Sequence, residues 1–116
     1  NYKLYINHGH KEIKMDIKSC LKKFEKCKIG EVLVQSIERD GSLRGFDNEL
    51  NYYVKKNTNI PVIACGGAGN WNHFVDAFKK SKVDGLCTNN IYHYSEKSLK
   101  LIKNTLLKKK IHVRSE

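Results

Sequence analysis

Asp40 stands in the run Arg39-Asp40-Gly41, between a β-branched stretch and a loop punctuated by glycine. A carboxylate held there can give or take a proton. It can equally make a local turn bond ahead of Gly41. Arg39 suits either a phosphate or a structural ion pair, and the ion pair is the expectation. A second pattern is Gly66-Gly67-Ala68-Gly69, which directly follows an apolar strand and opens a helix. Glycines there let an oxyanion reach the backbone, and free N–H groups at a helix N-terminus favour negative charge. The same glycines can simply build a tight turn. Asn89-Asn90 close the next strand and can add donors beside them. On this basis a bulky side chain at Gly67 is expected to block ligand approach with little change in fold.

Other reactive types carry less. His93 follows the last strand, but its setting, Ile91-Tyr92-His93-Tyr94, favours packing over catalysis. His8 and His10 flank Gly9 with no third ligand nearby, and His73 falls on the face of a helix. Cys20, Cys27, Cys65 and Cys87 have neither the Cys-x-x-Cys spacing nor the paired histidines of a zinc site, so no metal is expected. They read as reduced, partly buried residues of a cytoplasmic protein. No cofactor is expected.

The elements that would position these residues follow from periodicity. Tyr2 to Asn7 alternates and breaks at His8-Gly9-His10, and Lys11 to Met15 returns, as in a hairpin. Asp16 caps a helix carrying Ile17, Leu21 and Phe24 through Cys27, and Gly30 is expected to stop it. Glu31 to Ile37 reads as a buried parallel strand, and Glu38 to Gly45 as a polar loop. Asp47 caps a helix with Leu50, Tyr53 and Val54. Val62 to Cys65 is a strand, Asn70 caps the helix Trp71 to Lys80, and Val83 to Thr88 is a third strand. Trp71, Phe74 and Phe78 form the apolar stripe of that helix. Ser95-Glu96 open a last helix, from about Lys97 to Lys109, and Ile111 to Arg114 is an extended tail. Strands alternating with helices imply a parallel α/β sheet, with ligands beyond the C-terminal strand ends. Three loops therefore matter: Gln35 to Gly45, Cys65 to Gly69, and Thr88 to His93. A βα unit of about 25 residues suits a barrel, although three strands cannot close one.

Composition fits that class. The chain has 116 residues, 40% of them hydrophobic, and one proline. A closed (βα)8-barrel needs roughly 250 residues, so a barrel here is incomplete. No apolar run approaches the roughly 18 residues of a membrane span, and no membrane role is expected. The net charge of +10 comes mostly from lysines spread over several helices. They lack the interleaved aromatics of a single-strand binder, so no nucleic acid is expected, though a basic field also attracts phosphorylated metabolites.

Taken in order, Gly30 to Gly41, Gly45-Phe46-Asp47, Ile60 to Gly69 and His73-Phe74 resemble the cyclase subunit of imidazole glycerol phosphate synthase. Ile91-Tyr92-His93-Tyr94 and Ile111-His112-Val113-Arg114 are similar to that family too. The resemblance implies an incomplete TIM (βα)8-barrel. Residues 1–116 would be the C-terminal portion of a single barrel domain, strands six to eight with their helices, preceded by a hairpin-like segment. It implies an ammonia-dependent cyclase and lyase of histidine biosynthesis, the synthase subunit of a glutamine amidotransferase. A glutaminase subunit would supply ammonia, and a phosphorylated ribonucleotide would be the substrate. Products would be imidazole glycerol phosphate and an aminoimidazole carboxamide ribotide.

By the same resemblance Asp40 assists acid/base chemistry whose two main carboxylates lie on strands absent here. Gln35, Ser36 and Cys65 line the mouth, and Gly66, Gly67, Asn89 and Asn90 cradle phosphate. Glu31 falls on an acidic ammonia gate at the opposite face. The family usually has Thr at Gln35, Ser at Cys65, Asp at Glu38 and small residues at Asn89-Asn90. Gln at position 35 occurs in cyclase-like paralogues acting on surface-polysaccharide amino sugars, which is one alternative. A non-catalytic, phosphate-binding half-barrel is the other. The chain alone is expected to be inactive.

Overall fold

In the computed structural model, residues 2–89, 91 and 99–114 are described. An antiparallel hairpin, β1 (Leu4–Ile6) and β2 (Lys11–Ile13), leads into helix α1 (Ile17–Lys26). There follow β3 (Val32–Gln35), α2 (Asn48–Lys55), β4 (Val62–Cys65), α3 (Trp71–Ser81), β5 (Gly85–Cys87) and α4 (Leu99–Lys108). The strands β3, β4 and β5 form one parallel sheet in that order. The sequence-predicted strands keep their places: Val62–Cys65 has the expected bounds, and the others are shorter, because only the residues in register with a neighbour complete the ladder. Ser95-Glu96 and the expected start of the last helix lie outside the described residues.

Helices α1, α2 and α3 each begin where a side chain satisfies free N–H groups. The Asp16 carboxylate accepts from Ser19 N–H at 3.0 Å, and Asp47 accepts from Leu50 N–H at 3.0 Å. Asn70 Oδ1 accepts from Asn72 and His73 N–H at 2.9 and 3.2 Å. The end of α1 departs from expectation. Lys28, not Gly30, takes the left-handed conformation, with φ of 54°. Its N–H donates to the Glu25 carbonyl, and Ile29 N–H donates to that of Phe24. This crossed pair of bonds closes the last turn two residues before Gly30. The helix α4 ends the same way: Lys110 has φ of 59°, and Lys110 and Ile111 donate to Leu107 and Leu106.

The sheet has two unlike faces, since successive side chains alternate. Val32, Val62 and Ala64 are buried with Val54, Phe74, Val75 and Ala77 of α2 and α3. Phe46 meets Phe74 edge-on at 5.5 Å. Burying each such valine or phenylalanine side chain contributes about 1.5–3 kcal/mol before entropy is counted. The other face carries Leu33, Ile63 and Gly85 in one row and Gln35, Cys65 and Cys87 in the next. Leu33 remains 54% exposed, so among the described residues that face is uncovered. At the N-terminal end of the sheet, Asp84 accepts from Lys55 at 2.7 Å and from Val62 N–H at 2.8 Å. Burial pushes the Asp84 carboxyl up, but the Lys55 and Val62 bonds outweigh it and hold it below the usual value.

Candidate functional site

The C-terminal end of the open face gathers most of the residues singled out by sequence. Gln35 ends β3, Cys65 ends β4 and Cys87 ends β5, and the register sets them side by side. Beyond Gln35 the chain turns sharply, with Arg39 and Asp40 N–H both donating to the Ser36 carbonyl. That turn brings Asp40 back over the strand end, where Gln35 Nε2 donates to its Oδ2 at 2.8 Å. The Asp40 side chain is therefore committed to Gln35 rather than to a bond within its own turn. Ser36 is buried, and its N–H donates to the Cys65 carbonyl, so its contribution is structural as well as local. Arg39 makes no ion pair among the described residues, against expectation; its Cβ packs beside Gly67.

Cys65 shows how crowded this corner is. Burial pushes its thiol up to about 11, and the neighbouring Cys87 thiol and the Asp40 charge add to the effect. A group so placed stays a neutral thiol near pH 7 and offers a weak hydrogen bond rather than a nucleophile. Cys87 was not singled out as a site residue in the sequence. The signal was present, since both cysteines end apolar strands, but only register makes them neighbours.

The glycine run behaves differently from a bare anion loop. Gly45 N–H donates to the Gly67 carbonyl at 2.7 Å. Gly66 and Gly67 have φ of 94° and 98°. A Cβ on Gly67 would collide with the Gly45 carbonyl, and one on Gly69 with the Leu43 carbonyl. The loop after β3 thus fills the space these missing side chains leave. The expectation that a bulky residue at Gly67 would spare the fold is corrected: that position locks two loops together. His73 helps, its Nδ1 accepting from Gly69 N–H at 3.1 Å. Because Nδ1 is the acceptor, a neutral ring carries its hydrogen on Nε2. The 3.1 Å approach of the Asn70 amide nitrogen to Nε2 is then a contact between two donors.

What remains for a ligand is specific. The N–H groups of the buried Gly67 and Ala68 have no hydrogen-bond partner among the described residues. Buried backbone donors are nearly always paired, so two adjacent free ones ahead of a capped helix suit an oxyanion. Asn89 is exposed just beyond β5; Asn90 and His93 lie outside the described residues. Glu31 is exposed at the other end of β3, away from this mouth. A cavity of about 740 Å³ is lined mostly by residues of the hairpin, α1 and β3, and its lining includes His8, Gln35 and Asp40 as well as Leu21, Phe24 and Leu33. Among the described residues no group of three or more His, Cys, Asp or Glu could hold a metal, and no helix is long and apolar enough to cross a membrane.

Residues 1–98 match the family described as histidine biosynthesis protein. Over 113 residues, 97% of the chain, it is 37% identical to the imidazole glycerol phosphate synthase subunit HisF of Bacillus subtilis (strain 168). It is 38% identical over the same span to the subunit so named in Clostridium botulinum (strain Okra / Type B1), and 39% to that of Methanococcus maripaludis (strain C5). The chain spans 45%, 45% and 42% of the length of these relatives.

Proposed function

The chain belongs to the histidine biosynthesis protein family, and from that premise we propose that it is the C-terminal portion of an ammonia-dependent cyclase of that pathway. Residues 1–116 would form one part of a single (βα)8-barrel, with β3, β4 and β5 as strands six, seven and eight. The whole protein would work as the synthase subunit of a glutamine amidotransferase in the cytoplasm. A glutaminase subunit would deliver ammonia, and the substrate would be a phosphorylated ribonucleotide that is closed to imidazole glycerol phosphate with release of an aminoimidazole carboxamide ribotide. The relatives' names favour this substrate over an amino sugar.

The observation that carries the reading is the juxtaposition at one mouth of a positioned carboxylate and free backbone donors. Asp40, held by Gln35, supplies a proton acceptor. Gly67 and Ala68, next to Gly66, offer N–H groups unpaired among the described residues for a phosphate, to which Asn89 and Asn90 would add donors. Ser36 and Cys65 shape the floor between them. Glu31, exposed at the far end of β3, would serve as the ammonia gate. Titration calorimetry with imidazole glycerol phosphate tests this directly. Saturable binding that is lost on Gly66→Val and kept on Lys14→Ala supports the site; no binding, or equal loss in both variants, overturns it.

A further inference from the structure

His8 sits in the hairpin turn, yet it lines the same cavity as Gln35 and Asp40. The turn is Asn7-His8-Gly9-His10, closed by His10 N–H donating to the Asn7 carbonyl at 3.1 Å. His8 and Gly9 both have positive φ, 56° and 87°. Turns of that kind favour Asn followed by Gly, so the turn itself gains nothing from an imidazole at position 8. The ring is exposed and belongs to no core cluster. Gly9 anchors the tip, since a Cβ there would lie 3.3 Å from Ile37 Cδ1. Ile37 lies between Gln35 and Asp40, so the hairpin docks on the very segment that presents the carboxylate. His10, two residues on, does not line the cavity.

At Asp40 a ligand would meet a carboxylate already engaged by one side chain. Asp40 offers only acceptors, and Gln35 already turns an N–H toward it. A hydroxyl-bearing ligand needs a donor and an acceptor, and a neutral imidazole supplies one of each. Resting on the phosphate-site reading above, we propose that His8 is a second ligand-contacting residue, bonding polar groups of a phosphorylated ribose in the cavity it shares with Asp40.

The probe is D-ribose 5-phosphate, titrated into the 116-residue chain, into His8→Asn and into His10→Asn. Asn suits the turn better than His, so His8→Asn should melt at the same or a higher temperature. It should nevertheless bind the probe about fivefold to tenfold more weakly, the scale of one hydrogen bond, while His10→Asn binds as the parent does. Proton spectra should show the His8 ring resonance moving on saturation and that of His10 standing still. Undiminished binding by His8→Asn, with a still His8 resonance, overturns the role of His8 and leaves the phosphate site standing. Failure of all three proteins to bind removes the site itself, and His8's part in it.

Discussion

Gly67 and Cys65 are the residues whose behaviour the surroundings decide most strongly. Gly67 needs a backbone angle that other residues resist, and its Cβ position is occupied by the Gly45 carbonyl. We expect Gly67→Ala to cost about 3 kcal/mol or more, combining backbone strain with a displaced loop. Denaturant unfolding should register this without any ligand present, and a loss below about 1 kcal/mol would contradict the loop-locking role. Cys65 tests the electrostatics. Its thiol, raised to about 11, should be alkylated far more slowly than exposed Cys27 at pH 8, with reaction accelerating as pH climbs past 10. Mass mapping of iodoacetamide adducts gives the order, and equal rates at pH 8 would refute the crowding described at the strand ends. The Gln35–Asp40 bond belongs to the same scale: it forms because the turn after β3 doubles back, which neither residue type implies alone.

At the scale of elements, helix ends show what local patterning can and cannot specify. The caps Asp16, Asp47 and Asn70 were legible because a short polar side chain ahead of an apolar period has one obvious use. The end of α1 was misread, since Gly30 looked like the stop and Lys28 performs it. A left-handed non-glycine residue costs about 1–2 kcal/mol, partly offset in Lys28→Gly by the greater freedom of unfolded glycine. Replacement of the exposed Lys28 should therefore stabilise the chain by about 0.5–1 kcal/mol, raising the melting temperature by roughly 2–5 °C. A fall would mean that Lys28 contributes something beyond its backbone angle. The hairpin was legible in its alternation, but its docking over the mouth through Gly9 and Ile37 was not.

For the whole molecule, the decisive fact is an uncovered face. Leu33 and Ile37 are more than half exposed, and β3 and β5 each pair on one side only among the described residues. Open edges and apolar faces drive association. The isolated chain should sediment as dimers or larger species at micromolar concentration, and a monomer with a sharp cooperative melt would argue against this. It should also show no turnover with ammonia and the ribonucleotide. By the resemblance Asp40 only assists the acid/base chemistry, and each main acid or base is worth about 10²- to 10⁴-fold in rate.

The residues by themselves determined the order of helices and strands, the parallel class of the sheet, the caps, and the loops in which Asp40, Gly66, Gly67 and Asn89 lie. Those features follow from periodicity and from what short polar residues, glycine and proline do to a neighbouring backbone, which are local effects. Strand register alone set Gln35, Cys65 and Cys87 in one row, because pairing between strands distant in sequence is chosen by total burial. Loop packing alone turned Gly67 and Gly69 from presumed ligand clearance into contacts with the Gly45 and Leu43 carbonyls. No pattern along the chain encodes which backbone will occupy the space that a missing side chain leaves.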